Sequence, residues 1–191
     1  MTPVFAFAAV AATWQNFYLL VGTAAATLIG LMFVAVTFGA GLVTAQSAPS
    51  ARAFLDPPFA HFVTVLFTAC LLVCPATSAR VLGVALLLVA ALRTSALVGV
   101  ARRMREAHAK YGDIELSDWL MGVVLPGACY AGLVATGGGF LVGRAEAFSA
   151  LAVATVAILL IGVFGAWELM LWLALTRTRD TDAADSTSRT G

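Results

Sequence analysis

Long apolar runs alternate with short polar breaks along this chain, and the runs determine its fold class. The first run, residues 14–45, contains no charged side chain. A helix needs about 20 apolar residues to cross a hydrocarbon core of about 30 Å, so this run can span a membrane. With four further runs, the predicted spans cover residues 17–45, 59–77, 81–100, 119–142 and 148–175. The pattern therefore predicts an all-α, polytopic transmembrane helix bundle over residues 1–175.

The breaks between the runs indicate where the helices end. The linker of residues 46–58 contains three prolines, which should end the first helix and delay the second. Residues 176–191 are polar, small and free of aromatic side chains, so they are predicted to form a disordered cytoplasmic tail. Residues 1–12 either extend the first helix or lie along the membrane interface before Trp14, and we favour the interface.

Basic residues are distributed unevenly between the breaks. The segment of residues 101–117 is the most basic, and its first half should continue the third helix. It carries Arg102, Arg103, Arg105 and Lys110. The positive-inside rule places this basic loop in the cytoplasm, so the N-terminus should lie outside and the C-terminus in the cytoplasm. Eight of the eleven Lys and Arg residues then lie on the cytoplasmic side.

Composition supports a membrane location and limits the partners. Hydrophobic residues make up 61% of the chain and charged residues 11%, against about 25% charged residues in soluble domains. The lipid bilayer is therefore the first partner, and a net charge of +1 argues against nucleic acid. Cys70, Cys74 and Cys129 all lie in apolar runs, so we expect no disulfide framework, no metal site and no cofactor.

Small residues mark two candidate sites of helix packing. Gly22, Ala26 and Gly30 recur at four-residue spacing on the first span, which places them on one helix face. This face should pack against another helix of the chain or of a partner. In the fourth span, Pro126 predicts a kink, and the glycine triplet at residues 137–139 indicates close helix contact or local flexibility.

Two charged residues, Arg93 and Glu168, lie within the spans. An Arg at mid-helix costs about 2.5 to 3.5 kcal/mol on insertion scales, so it needs a partner or a polar cavity. Each of the two precedes the first following basic residue of its helix, Arg102 or Arg177, by nine residues. At equal depth, about 13 Å from these anchors, they are predicted to form a buried ion pair between the third and fifth helices. Such a pair either fixes helix packing or lines an ion or proton path.

His61 follows Asp56 by five residues, one turn into the second span. A His and an acid at a membrane surface can relay protons, but the sequence offers no other titratable group nearby. We therefore expect His61 to lie at the interface.

No motif for catalysis is present. The sequence has no Gly-x-Ser-x-Gly, no His-Glu-x-x-His and no Walker loop, so we do not expect an enzyme.

A resemblance adds a functional expectation. After an aromatic and a Gly/Ala-rich stretch, the first span reads Leu-x-Gly-Leu-x-Phe-Val-Ala at Leu28, Gly30, Leu31, Phe33, Val34 and Ala35. Residues 14–38 resemble a loosely defined group of small, mostly uncharacterised bacterial integral membrane proteins, some of them labelled modulators of a membrane-anchored AAA protease. The resemblance implies a bacterial inner-membrane location and at most a helper role, and the shared motif contains no catalytic residue.

The preferred interpretation is a non-catalytic membrane protein that modulates or scaffolds a partner by helix packing. That partner is a second copy, giving a homo-oligomer, or a larger membrane protein. The alternative is an oligomeric channel or small carrier that uses the Arg93 and Glu168 pair.

Overall fold

Five long helices account for most of the chain in a computed structural model, which describes residues 3–39, 48–74, 78–111 and 119–188. The helices are α1 (Pro3–Gly39), α2 (Ala48–Val73), α3 (Ala79–Tyr111), α4 (Leu125–Leu141) and α5 (Ala147–Ser188). A π-helical turn, Leu120–Val124, precedes α4. No strand occurs among the residues described.

Five helical stretches are long and apolar enough to cross a membrane. They are Phe7–Thr37, Asp56–Val73, Ala79–Glu106, Leu120–Leu141 and Ala147–Leu171. The predicted all-α bundle with five spans is therefore confirmed, and its architecture is that of a multi-pass membrane protein.

The first helix is continuous from Pro3 through the segment that we expected to lie along the interface. That expectation was wrong. Proline at the first helical position loses no hydrogen bond, and no further proline or glycine occurs before Gly22. The ring of Phe7 also packs inside the bundle, with centroids 6.2 Å from Phe140 and 5.3 Å from Phe148.

The two adjacent prolines of the second helix do not delay its start. The sequence predicted a span from residue 59, whereas α2 begins at Ala48 and includes Pro57 and Pro58. The fixed φ angle of proline is compatible with a helix. The energetic cost of the two prolines is the loss of two backbone N–H donors within α2. Packing compensates, because Pro58 is buried and its Cβ lies 3.5 Å from the position that a Cβ on Gly165 of α5 would occupy. The predicted ends of the first two spans, at residues 45 and 77, lie outside the described residues.

The last helix continues through Ser188, so the predicted disordered tail is helical as far as that residue. Extending an existing helix is far easier than starting one, and residues 166–188 contain neither proline nor glycine.

The fourth span departs from a regular α-helix where the sequence predicted a kink. The amide of Leu125 donates to the carbonyl of Leu120, five residues earlier, which is the π pattern. Pro126 follows directly. Its ring cannot donate and would crowd the carbonyl four residues before it in an ordinary α-helix. The wider π turn accommodates that proline.

The helices are in contact in the order α1, α2, α5, α4, α3. Helix α3 packs mainly against α4 and touches α2 only sparsely, although α2 and α3 are neighbours in sequence. In the buried core, Tyr18 of α1 donates its hydroxyl proton to the carbonyl oxygen of Phe148 in α5, at 3.2 Å. This bond ties the first helix to the last.

Helices α3 and α4 meet backbone to backbone at two glycines. A Cβ on Gly83 would lie 2.8 Å from the carbonyl oxygen of Gly137, and a Cβ on Gly137 would lie 3.0 Å from the carbonyl oxygen of Gly83. The predicted close contact at the glycine triplet is thus confirmed for Gly137. Gly139 is also tight, because its Cβ would be 3.1 Å from that of Ala147, whereas Gly138 faces open space.

We expect Gly83→Ala and Gly137→Ala each to lower the stability of the bundle by about 1 to 3 kcal/mol, because the added methyl group forces the two backbones apart. Gly138→Ala is the matched control, since a Cβ there has no neighbour within 4 Å. Thermal unfolding of the protein in detergent, followed by tryptophan fluorescence, measures the effect. Equal midpoint temperatures of unfolding for all three variants would contradict the backbone contact between Gly83 and Gly137.

Candidate functional site

Arg93 lies near the middle of the α3 span, half-buried, and contacts Tyr130 of α4. Its Nε and Nη2 atoms donate to the Tyr130 hydroxyl oxygen at 3.4 and 3.3 Å, distances at the long end for such bonds. The guanidinium carbon is 5.7 Å from the centroid of the Tyr130 ring. The contact thus combines two long hydrogen bonds with a cation–π interaction.

The pairing follows from the register of α3 and α4. These helices run antiparallel, with Gly83 against Gly137 and the Met104 sulfur 3.5 Å from the Cβ position of Gly122. Residues between these two crossings face each other in reverse order, which brings Arg93 opposite Tyr130.

His61 of α2 also stacks against the tyrosine ring. The two rings are nearly parallel, with centroids 6.1 Å apart and an angle of 15° between their planes. His61 is 5% exposed and Tyr130 2%. His61, Arg93 and Tyr130 form a polar cluster at the meeting point of α2, α3 and α4. The sequence predicted an interfacial His61, and the structure buries its ring beside Tyr130, on the inward face of α2.

The polar cluster is rich in hydrogen-bond donors. Neither ring nitrogen of His61 has a hydrogen-bond partner within the described part of the chain. Tyr130 accepts from Arg93, so its own proton remains available to donate. The guanidinium has five N–H groups, and only some of them point at the tyrosine oxygen.

The structure does not bring Arg93 and Glu168 together, so it corrects the predicted ion pair. Glu168 is exposed on α5. A Cβ on Gly132 would lie 3.5 Å from that of Ala154, and this register places Tyr130 and Arg93 near the level of Val156. Glu168 lies about twelve residues further on, or about 18 Å along the helix.

The error came from the two arginines used as depth markers. Helix α3 continues beyond Arg102 to Tyr111, and Met104 still packs against the fourth span at Gly122. Through the contacts of Met104 with Gly122 and of Gly132 with Ala154, Arg102 lies more than ten residues short of the level of Arg177 on α5. Counting nine residues back from each arginine therefore placed Arg93 and Glu168 at the same depth, whereas in the structure they lie at different depths.

The predicted packing face is only partly used within the chain. Gly22 is buried against α2, where its Cβ would lie 2.8 Å from that of Ala69. Ala26 is exposed, and a Cβ on Gly30 would meet no described residue within 4 Å. A helix has 3.6 residues per turn, so residues four apart are rotated by about 40° from one another around the helix axis. Gly22 therefore faces α2, whereas Ala26 and Gly30 point progressively away from it.

The predicted basic loop is largely helix. Arg102, Arg103 and Arg105 are exposed on the last turns of α3, and Lys110 belongs to the same helix. The expectation that the first half of this segment continues α3 is confirmed. Residues 112–118 lie outside the described part.

Sequence reasoning missed Tyr130 as a member of the site. A tyrosine in an apolar run gives no signal of its own, but the glycine pair supplies one. Arg93 follows Gly83 by ten residues, and Tyr130 precedes Gly137 by seven, so antiparallel packing at the glycines places them within about one helical turn of the same level.

Comparison with protein-family models, with curated proteins and with solved structures finds no match to this chain.

A double-mutant cycle tests the contact. We expect Arg93→Leu and Tyr130→Phe to be non-additive, with a coupling energy of about 0.6 to 1.7 kcal/mol, the range measured for interhelical hydrogen bonds in membranes. The free energy of unfolding in mixed detergent micelles is the measurement.

Arg93→Leu combined with Glu168→Gln is the matched control. Because these side chains lie far apart, their effects should add within about 0.5 kcal/mol. A coupling between Arg93 and Glu168 as large as that with Tyr130 would restore the ion pair predicted from the sequence.

Proposed function

We propose that this chain is a non-catalytic, multi-pass protein of a bacterial inner membrane that binds an anion at the polar cluster and carries it across the bilayer. It would act as a small carrier or as the subunit of an oligomeric channel. One observation carries the proposal: the Arg93 guanidinium, near mid-span, contacts a neutral tyrosine rather than a carboxylate.

The energetics favour an anionic ligand. A cation within a span is costly, and the hydroxyl oxygen of Tyr130 offers only part of a negative charge against it. A bound anion would offset that cost, since charges attract more strongly where the dielectric constant is low. The available groups match such a ligand, because Arg93, Tyr130 and His61 each carry a hydrogen-bond donor and lie in contact with one another.

The position of the polar cluster also suits a site that changes shape. It joins three helices, and Tyr130 follows the π turn and Pro126 by about one helical turn. Single π turns in α-helices occur often at functional sites, where the ladder of backbone hydrogen bonds is locally weakened. A small rotation of α4 at this turn would move Tyr130 relative to Arg93.

Anion uptake into liposomes tests the proposal. Purified protein in sealed vesicles should admit at least one of chloride, nitrate or phosphate faster than empty vesicles, with potassium uptake as the measure of leakage. Arg93→Gln should reduce this uptake roughly tenfold or more, as expected for losing a charge-assisted hydrogen bond in a desolvated site. Arg80→Gln, the same change at an exposed position of α3, should leave it unaltered.

Uptake no faster than in empty vesicles would overturn the carrier proposal. Equal uptake by the wild type and Arg93→Gln would show that any transport does not depend on the polar cluster.

The second candidate function is that of a modulator or scaffold of a membrane partner, acting by helix packing. Its supporting observation is the uncovered part of the α1 packing face, where Ala26 is exposed and Gly30 faces open space. Small residues on a lipid-facing helix allow a second helix to approach closely. Some members of the mostly uncharacterised group that residues 14–38 resemble are labelled modulators, which agrees with this role. The partner would be a second copy or a larger membrane protein.

We expect Gly30→Leu to remove a copurifying membrane partner or to dissociate a homo-oligomer without changing the unfolding midpoint. Gly99→Leu on α3 is the matched control, because a Cβ at Gly99 also has no neighbour within 4 Å. Copurification in mild detergent, with mass measurement of the complex, is the readout. If Gly30→Leu and Gly99→Leu retain the same complex, the α1 face is not the contact.

A further inference from the structure

A groove between α4 and α5, next to the turn that joins them, is lined mostly by small side chains. Its volume is about 260 Å³. The small residues include Gly132, Ala135 and Gly139 from α4 and Ala150 from α5, and the charged residues Arg144 and Glu146 lie at one end. This groove is separate from the polar cluster.

The helices stay close along the groove because the residues between them are small. A Cβ on Gly139 would lie 3.1 Å from that of Ala147, and one on Gly132 would lie 3.5 Å from that of Ala154. From Gly132 to Gly139 the groove follows α4 for about 10 Å. Its inner end therefore lies within the membrane span, and its outer end lies at the turn.

The turn holds the charged residues in place. Gly143 has a φ of 74°, the left-handed conformation that ends many helices. The amide of Arg144 donates to the carbonyl of Gly139 at 3.0 Å, and that of Gly143 donates to Phe140 at 3.1 Å. These two bonds form a Schellman motif, which fixes the path of the chain from α4 into α5.

The outer end of the groove lies at the height of lipid head groups. The apolar spans on either side end at Leu141 and begin at Ala147, so the turn between them is at the membrane surface. Arg144 and Glu146 are both exposed there and carry opposite charges. A basic and an acidic side chain at one groove entrance complement a ligand that carries both charges itself.

We propose that this groove binds an aminophospholipid of the phosphatidylethanolamine type. Its phosphate contacts Arg144, its ammonium group contacts Glu146, and one acyl chain lies along Gly132 and Gly139. The volume is below the range of about 300 to 1,000 Å³ usual for pockets that enclose a whole ligand, which fits one part of an acyl chain. An ammonium group can donate hydrogen bonds to a carboxylate, whereas the quaternary group of choline lipids cannot.

Native mass spectrometry of the full chain tests the site. Delipidated protein is titrated with phosphatidylethanolamine, phosphatidylcholine and phosphatidylglycerol of identical acyl chains. We expect the ethanolamine lipid to be retained best. Arg144→Gln and Glu146→Gln should each weaken that retention roughly threefold, in line with a solvent-exposed ion pair. Both residues are exposed, so the unfolding midpoint should stay the same.

A bulky residue in the groove provides the second variant. Ala150→Phe should reduce binding of all three lipids, because the ring would occupy the space of the acyl chain. Ser149→Phe is the matched control, since Ser149 is exposed on the same turn of α5 and does not line the groove.

Three results would overturn the proposal. Preferential retention of phosphatidylglycerol would indicate a site for anionic lipids. Equal retention of all three lipids would show that the charges of Arg144 and Glu146 do not select the lipid head group. Loss of a dimer in Ala150→Phe, with lipid binding unchanged, would identify a second copy of the chain as the occupant. Each result is independent of anion uptake, because Arg144, Glu146 and Ala150 lie outside the polar cluster.

Discussion

The backbone contact between Gly83 and Gly137 is the constraint on which the interior of this bundle depends. Apolar side chains gain little by leaving lipid for another apolar surface, so helices in a membrane associate through close packing and polar contacts. The two glycines let α3 and α4 approach at the level of their carbonyl groups. That approach sets the register of the two helices, and the register places Arg93 against Tyr130. The contact between Arg93 and Tyr130 thus follows from a helix crossing that contains no polar side chain.

The same helix, α4, is shaped at both ends by backbone chemistry. At its start, a π turn accommodates Pro126, and at its end, Gly143 adopts the left-handed conformation that only glycine takes at little cost. Between these points lie Tyr130, which contacts Arg93 and His61, and the small residues that form the groove with α5. Helix α4 therefore contributes to both candidate binding sites, one on each of the faces that it presents to its neighbours.

Much of the fold could be predicted from the sequence, because hydropathy reports where helices meet lipid. The fourth span was predicted to within a residue at each end, since a basic, polar segment precedes it and a turn with Gly143 follows it. Helix ends were less accurate where tertiary packing or helix propagation opposed a local signal. Pro57 and Pro58 lie inside α2, and α5 continues into a polar segment that looked disordered.

The site was harder to predict, since hydropathy says nothing about the relative depth of two helices that are not neighbours in the bundle. Arg93 was identified correctly as the residue in need of a partner, but Glu168 was assigned to it by counting from loop arginines. The actual partner, Tyr130, depends on a glycine register that appears only once the pairing of α3 with α4 is known. His61 joined the site for a similar reason, because its burial depends on which face of α2 meets the rest of the bundle.

Helix α3 runs without interruption from Ala79 to Tyr111, well past the apolar span in which Arg93 lies. A helix of that length is a stiff rod of about 50 Å, anchored to α4 at Gly83 and exposed at the arginines of its far end. Met104 packs against the fourth span at Gly122, so Arg93 lies between two crossings of α3 with that span, one near each end of the contact. Tilting α3 against α4 therefore moves Arg93 less than it moves either end of the helix, and the contact with Tyr130 lies where the two helices are held closest to a fixed spacing.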